Sequence, residues 1–274
     1  MTFTRSALYL PASNERAIAK ARTLTCDAVI LDLEDAVAPE QKAAARARAV
    51  AALDDGFGDR TVVVRINGRD TPWGADDAAA VRKAAAVLVP KVSGPADLAA
   101  ARAAIGPGPA LWAMVETCAG VLALPAIAAA ARENGLAALV VGTNDLAKEM
   151  RCRPDAARTP LMPALTQVVL AARAAGIVAL DGVLNALDDP DRLAAECRQG
   201  AMLGFDGKTL IHPGQIAAAD AAFGPTAEEI AWAEAVVKAF ADPESTGKGA
   251  IRLEGAMVER LHLAEAERML ATRR

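Results

Sequence analysis

Acidic and basic side chains recur directly after short apolar runs in this chain, so any chemistry it performs is to be sought at those run ends. The run AVILDL (28–33) leads into Glu34 and Asp35, TVVVRI (61–66) carries Arg65, and AVLVP (86–90) is followed by Lys91. ALWAMVE (110–116) ends on Glu116, LAALVV (136–141) leads into a Gly-Thr-Asn-Asp turn ending at Asp145, and IVALD (177–181) ends on Asp181. One charge at a strand end can merely solvate a loop; charges at consecutive strand ends point to a shared site. Carboxylates without an imidazole or thiolate cluster are hard oxygen donors, which favour Mg²⁺, with Mn²⁺ as a substitute, over Zn²⁺. Glu116 and Asp145 are the natural metal pair, because Mg²⁺ takes one or two carboxylates and leaves other positions to water and substrate. Asp145 can equally act as a helix N-cap, and free N–H groups at that helix start suit a substrate carboxylate. Arg65, at the end of an unbroken β-forming run, needs an anion: a neighbouring carboxylate, or a substrate carboxylate or enolate. Lys91 admits a rival reading as a Schiff-base amine, against which the surplus of carboxylates argues for a charged, salt-bridged lysine.

Positioning these groups requires many short strands with their ends together. Besides the runs above, ALYL (7–10) and AMLGFDGKTLI (201–211) read as strands, making eight. Helix-length, Ala-rich stretches separate them, among them 40–53, 95–104, 120–132 and 161–175. Continuous apolar runs suit strands covered on both faces, and strand–helix alternation implies parallel βαβ units. Eight units in 274 residues predict a closed (β/α)₈ TIM barrel, which typically needs about 250 residues. An open doubly wound sheet is the alternative, but no GxGxxG follows the first strand. The barrel is expected over 1–223 and a C-terminal extension over 224–274. In that extension, 225–241 reads as a helix, 242–249 as a mobile loop, and 251–270 as a short strand and then a helix. A segment beyond the eighth unit has no place in the barrel wall, so it is expected to pack across an end or onto a neighbour.

Composition narrows the partners. Aromatic residues make up only 3% and the net charge is −4, which argues against nucleic acid and anionic membranes. The uncharged stretch 117–131 contains Pro125 and falls short of the roughly 20 residues a membrane span needs. The N-terminus lacks the apolar core of a signal peptide. The four cysteines form no CxxC pair and read as reduced thiols, consistent with a cytoplasmic protein.

The ordered motifs LYLPASNERAIAKA (8–21), VILDLEDAVAPEQKAAAR (29–46), VVVRIN (62–67), VLVPKV (87–92), MVET (114–117), GTNDLA (142–147), ALDGV (179–183) and GFDGKTLIHPGQI (204–216) carry a resemblance. With the tail AMVERLHLAEAERML (256–270), they make the chain resemble the citrate lyase β-subunit-like branch of the HpcH/HpaI aldolase superfamily over nearly its whole length. That resemblance implies a barrel with a C-terminal lid, Mg²⁺ dependence, and acyl-CoA substrates such as malyl-CoA or citramalyl-CoA. By motif position it makes Glu116 and Asp145 the metal ligands and Arg65 the substrate-binding arginine. Glu34 and Asp35 become acidic residues that orient metal-bound water. Tyr9, Arg16 and Lys20 fall at positions contacting CoA, with Ile211 and His212 at its adenine end. Arg16 and Lys20 are one helical turn apart, so they could pair with CoA phosphates or simply form a solvated face. The resemblance also implies a homotrimer whose tail covers a neighbouring subunit.

Two positions depart from the family pattern. ETCAG (116–120) has Ala119 where many relatives carry arginine, and the tail has Glu259 where lyase and synthase relatives carry aspartate. Glu259 is then either a mobile base or a helix N-terminal acid paired with Arg260 or Arg252. The implied reaction is a Mg²⁺-dependent Claisen-type cleavage of a 3-hydroxyacyl-CoA to an α-keto acid and an acyl-CoA, or the reverse condensation. Alternatives are a hydroxyacyl-CoA thioesterase or malate-synthase-like enzyme, and the β subunit of a citrate lyase complex.

Overall fold

The computed structural model describes residues 4–242, 245 and 247–271. Eight parallel strands close into a barrel in chain order. They are β1 (Ser6–Pro11), β2 (Ala28–Asp32), β3 (Thr61–Arg65), β4 (Ala86–Val89), β5 (Ala110–Val115), β6 (Leu136–Val141), β7 (Val178–Asp181) and β8 (Gly207–Leu210). The ring closes where β1 pairs with β8, Ser6 beside Lys208. This is the expected (β/α)₈ TIM barrel, and it forms because each strand has two apolar faces to bury. On β2, Ala28 and Ile30 join the interior with Val63, Leu88, Trp112, Met114, Val140 and Leu180. The alternate residues Val29 and Leu31 are equally buried, facing away from that interior, since successive strand side chains point to opposite faces.

Two boundaries in the barrel differ from the sequence expectation. The run 201–211 is mostly not strand: its start completes the helix Pro190–Leu203, which Gly204 ends in the left-handed conformation, and β8 begins at Gly207. The stretch 120–132 is not one helix but three short ones, Cys118–Leu122, Leu124–Ala129 and Ala131–Asn134. Pro125 sits in the first turn of the second, where its missing N–H costs nothing, whereas inside one long helix it would break the ladder.

The chain divides after Asp220 into two compact units. In the second, Thr226 and Glu229 form a reciprocal capping box that starts the helix Ala227–Ala241. A two-stranded antiparallel hairpin follows, β9 (Ala250–Leu253) and β10 (Ala256–Glu259), then the helix Arg260–Ala271. Ala233, Val236, Val258 and Ala266 are its buried core. The single strand expected in 251–270 is therefore a hairpin, turning at Glu254 and Gly255, both at positive φ. Residues 243, 244 and 246 of the loop expected to be mobile lie outside the described residues. Among the described residues, no helix is long and apolar enough to cross a membrane.

Candidate active site

Strand parity decides which strand-end groups meet. The inward positions Ala28 and Ile30 of β2 continue to Asp32, Val63 of β3 continues to Arg65, and Trp112 and Met114 of β5 continue to Glu116. The register pairs Asp32 directly with Arg65. There the guanidinium forms a fork on the carboxylate, Nε to Oδ1 at 2.7 Å and Nη2 to Oδ2 at 2.6 Å. The ring of Tyr9 lies under the guanidinium, 4.9 Å from its centroid to the central carbon. Burial opposes the charge of Arg65, but the bonds to Asp32 outweigh it, so Arg65 stays ionised throughout the accessible pH range. Its remaining nitrogen, Nη1, faces Glu34 Oε2 at 3.1 Å and Asp35 Oδ2 at 3.5 Å. The anion expected for Arg65 is thus Asp32, the first acid of the Asp-Leu-Glu-Asp strand end.

The Asp-Leu-Glu-Asp turn is held rigidly. Asp32 accepts the backbone N–H groups of Glu34 and Ala36. The buried Lys42 donates to the carbonyls of Leu33 and Glu34, at 2.8 and 2.7 Å, and to Asn67 Oδ1 at 2.7 Å. Neither Lys42 nor Asn67 was assigned a role from the sequence; a lysine in an Ala-rich helix looks solvated until the fold covers it.

Lys91 bridges the two acidic centres. Its backbone, in the left-handed region at φ 52°, donates to Glu116 Oε1 at 2.8 Å. Its ammonium donates to Glu34 Oε1 at 2.8 Å. Burial works against that charge, yet Glu34 and Glu116 hold the ammonium above the usual lysine range. The Schiff-base alternative therefore lacks the neutral amine it requires. Glu34 Oε2 is buried and, although in ion-pair range of Arg65, has no aligned hydrogen-bond donor. Burial raises the Glu34 carboxyl despite Arg65 and Lys91.

Glu116 is 1% exposed. Burial, then the charges of Glu34 and Asp145, push its carboxyl up to about 7. Gly142, next along the inward row of β6, makes this possible: a Cβ there would stand 2.5 Å from Glu116 Cβ and 2.6 Å from Oε2. Asp145 lies in the first turn of the helix Thr143–Met150, whose N-cap is Gly142 with no side-chain capping bond. The N-cap reading of Asp145 is thus replaced by a half-buried carboxylate directed to no described donor. A dense set of oxygen donors that repel one another suits a divalent cation that keeps waters, as Mg²⁺ does. Among the described residues no group of three or more His, Cys, Asp or Glu could by itself hold a metal ion. Glu116 and Asp145 are the two that would hold it.

The other sequence candidates fall elsewhere. Arg16 and Lys20 are exposed on the helix Glu15–Ala21, with no side-chain partner among the described residues. Tyr9 is not with them but in the barrel interior, its hydroxyl 3.8 Å from the sulfur of Met114. Ile211 and His212 directly follow β8; His212 Nδ1 accepts the N–H of Gly214 at 3.0 Å. Glu259 ends β10, and its N–H donates to His262 Nδ1 at 2.9 Å. Its side chain forms no ion pair among the described residues, and Arg260 instead donates to the Lys248 carbonyl, so the expected pairing with Arg260 or Arg252 is not made. Asp181 is off-phase: Leu180 faces the interior, so Asp181 points outward, to Arg158 and Lys208.

The model of the HpcH/HpaI aldolase/citrate lyase family matches residues 5–213. The chain belongs to this family. It is 48% identical over 97% of its length to a (3S)-malyl-CoA thioesterase of Cereibacter sphaeroides, covering 93% of that protein. It is 31% identical to the mitochondrial citramalyl-CoA lyase of Mus musculus, over 97% of this chain and 85% of that one. The crystal structure of protein CitE from Mycobacterium tuberculosis with magnesium, acetoacetate and coenzyme A superposes at a TM-score of 0.78 and 32% identity, covering 97% of each chain. Members of this family similar to the chain thus act on CoA esters, and a solved relative holds Mg²⁺.

Proposed function

We propose that the chain is a Mg²⁺-dependent enzyme of malyl-CoA-type 3-hydroxyacyl thioesters, and that its net reaction is thioester hydrolysis. The observation that carries this reading is the 48% identity to a (3S)-malyl-CoA thioesterase along nearly the full chain, joined to a barrel mouth holding the groups such a substrate needs. When bound on Glu116 and Asp145, Mg²⁺ supplies Lewis acidity to substrate oxygens. Arg65, fixed by Asp32, turns a permanent donor toward the mouth, where it stabilises oxyanion charge without reorganising. Glu34 offers an unaligned, buried carboxylate oxygen with a raised pKa, the setting of a general base. It takes the proton of the attacking water as the C–O bond forms; the C–S bond breaks, and the proton ends on the departing thiol. Lys91 bonds to both Glu34 and Glu116 and offsets part of their mutual repulsion. Exposed Arg16 and Lys20 supply cations for CoA phosphates.

A second reading, carbon–carbon cleavage to an α-keto acid and an acyl-CoA, is favoured by the citramalyl-CoA lyase relative, and uses Arg65 on the enolate. Incubation with malyl-CoA and Mg²⁺, followed by chromatography of products, separates the two. Malate with free CoA is expected; glyoxylate with acetyl-CoA as the major products would transfer the assignment to lyase. Turnover unaffected by EDTA would remove the metal from both.

A further inference from the structure

The cluster around Asp181 is used by no step above, yet it reaches the start of the helix that carries Asp145, through Gly182, and the end of the loop that follows that helix, through Arg158. Resting on the reading that Asp145 holds Mg²⁺, we propose that Arg158 and Asp181 are positioning residues that set Asp145 for the cation. Arg158 leaves the loop that follows the Asp145 helix and adopts a left-handed backbone, φ 56°, which a non-glycine residue holds only at a cost. Its Nη1 donates to both oxygens of Asp181, at 2.7 and 2.9 Å, and its Nε to Gln199 at 2.8 Å. Lys208 adds a bond to Asp181 Oδ2 at 3.1 Å and one to Glu196 at 2.7 Å.

Asp181 passes this anchorage to the start of the helix. Its Oδ1 accepts the N–H of Gly182 at 2.8 Å. Gly182 lies so close to Thr143, the first helical residue, that a Cβ would stand 2.7 Å from its Cγ2 and 2.8 Å from its Oγ1. Three residues on, Asn185 and Asn144 exchange amide bonds, at 2.9 and 3.4 Å. Asp145 is the next residue. One carboxylate therefore joins Arg158, at the far end of the loop that follows the helix, to the helix entry through Gly182, and the Asn185–Asn144 pair adds a second tie at that entry. Among the described residues Arg158 Nη2 is buried with no hydrogen-bond partner.

Mg²⁺ titration calorimetry on Arg158→Lys, Asn185→Ala, Asp145→Asn and the double variant Arg158→Lys/Asp145→Asn tests this, with far-UV circular dichroism to confirm folding. Arg158→Lys keeps the charge but cannot bond Asp181 and Gln199 together, and Asn185 is exposed, so its loss leaves the core intact. Each is expected to weaken Mg²⁺ binding about 10-fold, the usual effect of losing a group that orients a metal ligand. On the Asp145→Asn background, Arg158→Lys is expected to add nothing. Unchanged affinity in Arg158→Lys and Asn185→Ala, with binding lost in Asp145→Asn, overturns the clamp alone; so does a further loss in the double variant. Intact affinity in Asp145→Asn overturns the ligand assignment and the clamp with it. Should Arg158→Lys fail to fold, Asn185→Ala decides.

Discussion

Two clusters of charge are built from strand ends of the same barrel, and they differ in balance. Behind β7 and β8, Asp181 and Glu196 meet Arg158 and Lys208, two acids against two bases, all nearly inaccessible. At the mouth, five acids, Asp32, Glu34, Asp35, Glu116 and Asp145, face three bases, Arg65, Lys91 and the buried Lys42. The ionisation of the two buried acids follows that difference. Burial raises Asp181, but Lys208 and Arg158 outweigh it and hold it below the usual carboxylate range; Glu116 rises to about 7 because burial and neighbouring acids add up. A self-neutralised cluster can serve as a fixture. A cluster with excess carboxylate is suited to take up a cation from outside.

Exchanging one acid in each cluster gives the largest expected effects, and they should be of different kinds. Glu116→Ala or Asp145→Ala should lower Mg²⁺-dependent turnover by about 10³-fold or more, since the Lewis acid contributes several kcal/mol, while the circular dichroism spectrum still shows a folded barrel. Asp181→Asn leaves two buried cations facing one acid and should cost about 3–5 kcal/mol of stability in a urea titration. If Asp181→Asn proved stable and Glu116→Ala unfolded, the two clusters would have been assigned the wrong way round.

The sequence alone could not have drawn that distinction. Glu116 and Asp181 both end an apolar run, and both read as strand-end acids. What separates them is parity, and a strand buried on both faces hides its parity, because Leu180 and Ala179 look alike to any periodicity. For the same reason Asp32 went unnoticed as the partner of Arg65, since their register exists only once β2 and β3 pair. Strand positions were legible because seven runs of Val, Leu, Ile and Ala have no other way to be buried. The hairpin in the tail was not, because Glu254-Gly255 lacks the Asn-Gly or Asp-Gly that marks such a turn. The pair Glu116 and Asp145 came from residue chemistry, whereas Arg16, Lys20, Ile211 and Glu259 rested on motif position alone.

A smaller effect should follow from changing shape without charge at the mouth. Arg65→Lys retains a cation but cannot fork onto Asp32 while presenting a second donor to Glu34. We expect a fall in kcat of about 10²-fold, the scale of losing one preorganised oxyanion donor, with Mg²⁺ affinity little changed. Arg65→Lys with the kcat of the unaltered enzyme would make Arg65 a partner of Asp32 and nothing more.

The gentlest test is stability against pH, where the two clusters carry opposite signs. A free carboxyl of Glu116 would ionise near 4.3, but in the folded, metal-free protein it does so near 7. Between these values the unfolded chain has released a proton that the folded chain still holds. Stability due to this group is therefore fully present below about pH 4 and is lost as pH rises through about 7. Glu34, also raised, acts in the same direction. Asp181 acts oppositely: its contribution is present above the ordinary carboxylate range and disappears only as pH falls through its lowered value. From about pH 5 to 8, then, only the mouth should respond, and the melting temperature of protein freed of metal should fall across that window. Saturating Mg²⁺ should flatten or reverse the fall, because the cation binds the ionised, folded form and stabilises it by mass action. Glu116→Gln should flatten it in part without metal and raise the melting temperature at pH 8, leaving the slope due to Glu34. Scanning calorimetry at pH 5, 6.5 and 8, with EDTA or with Mg²⁺, reads all three curves. A metal-free melting point that climbed with pH through this range, or one that Glu116→Gln left unmoved, would show that the mouth carries no uncompensated carboxylate and needs no cation.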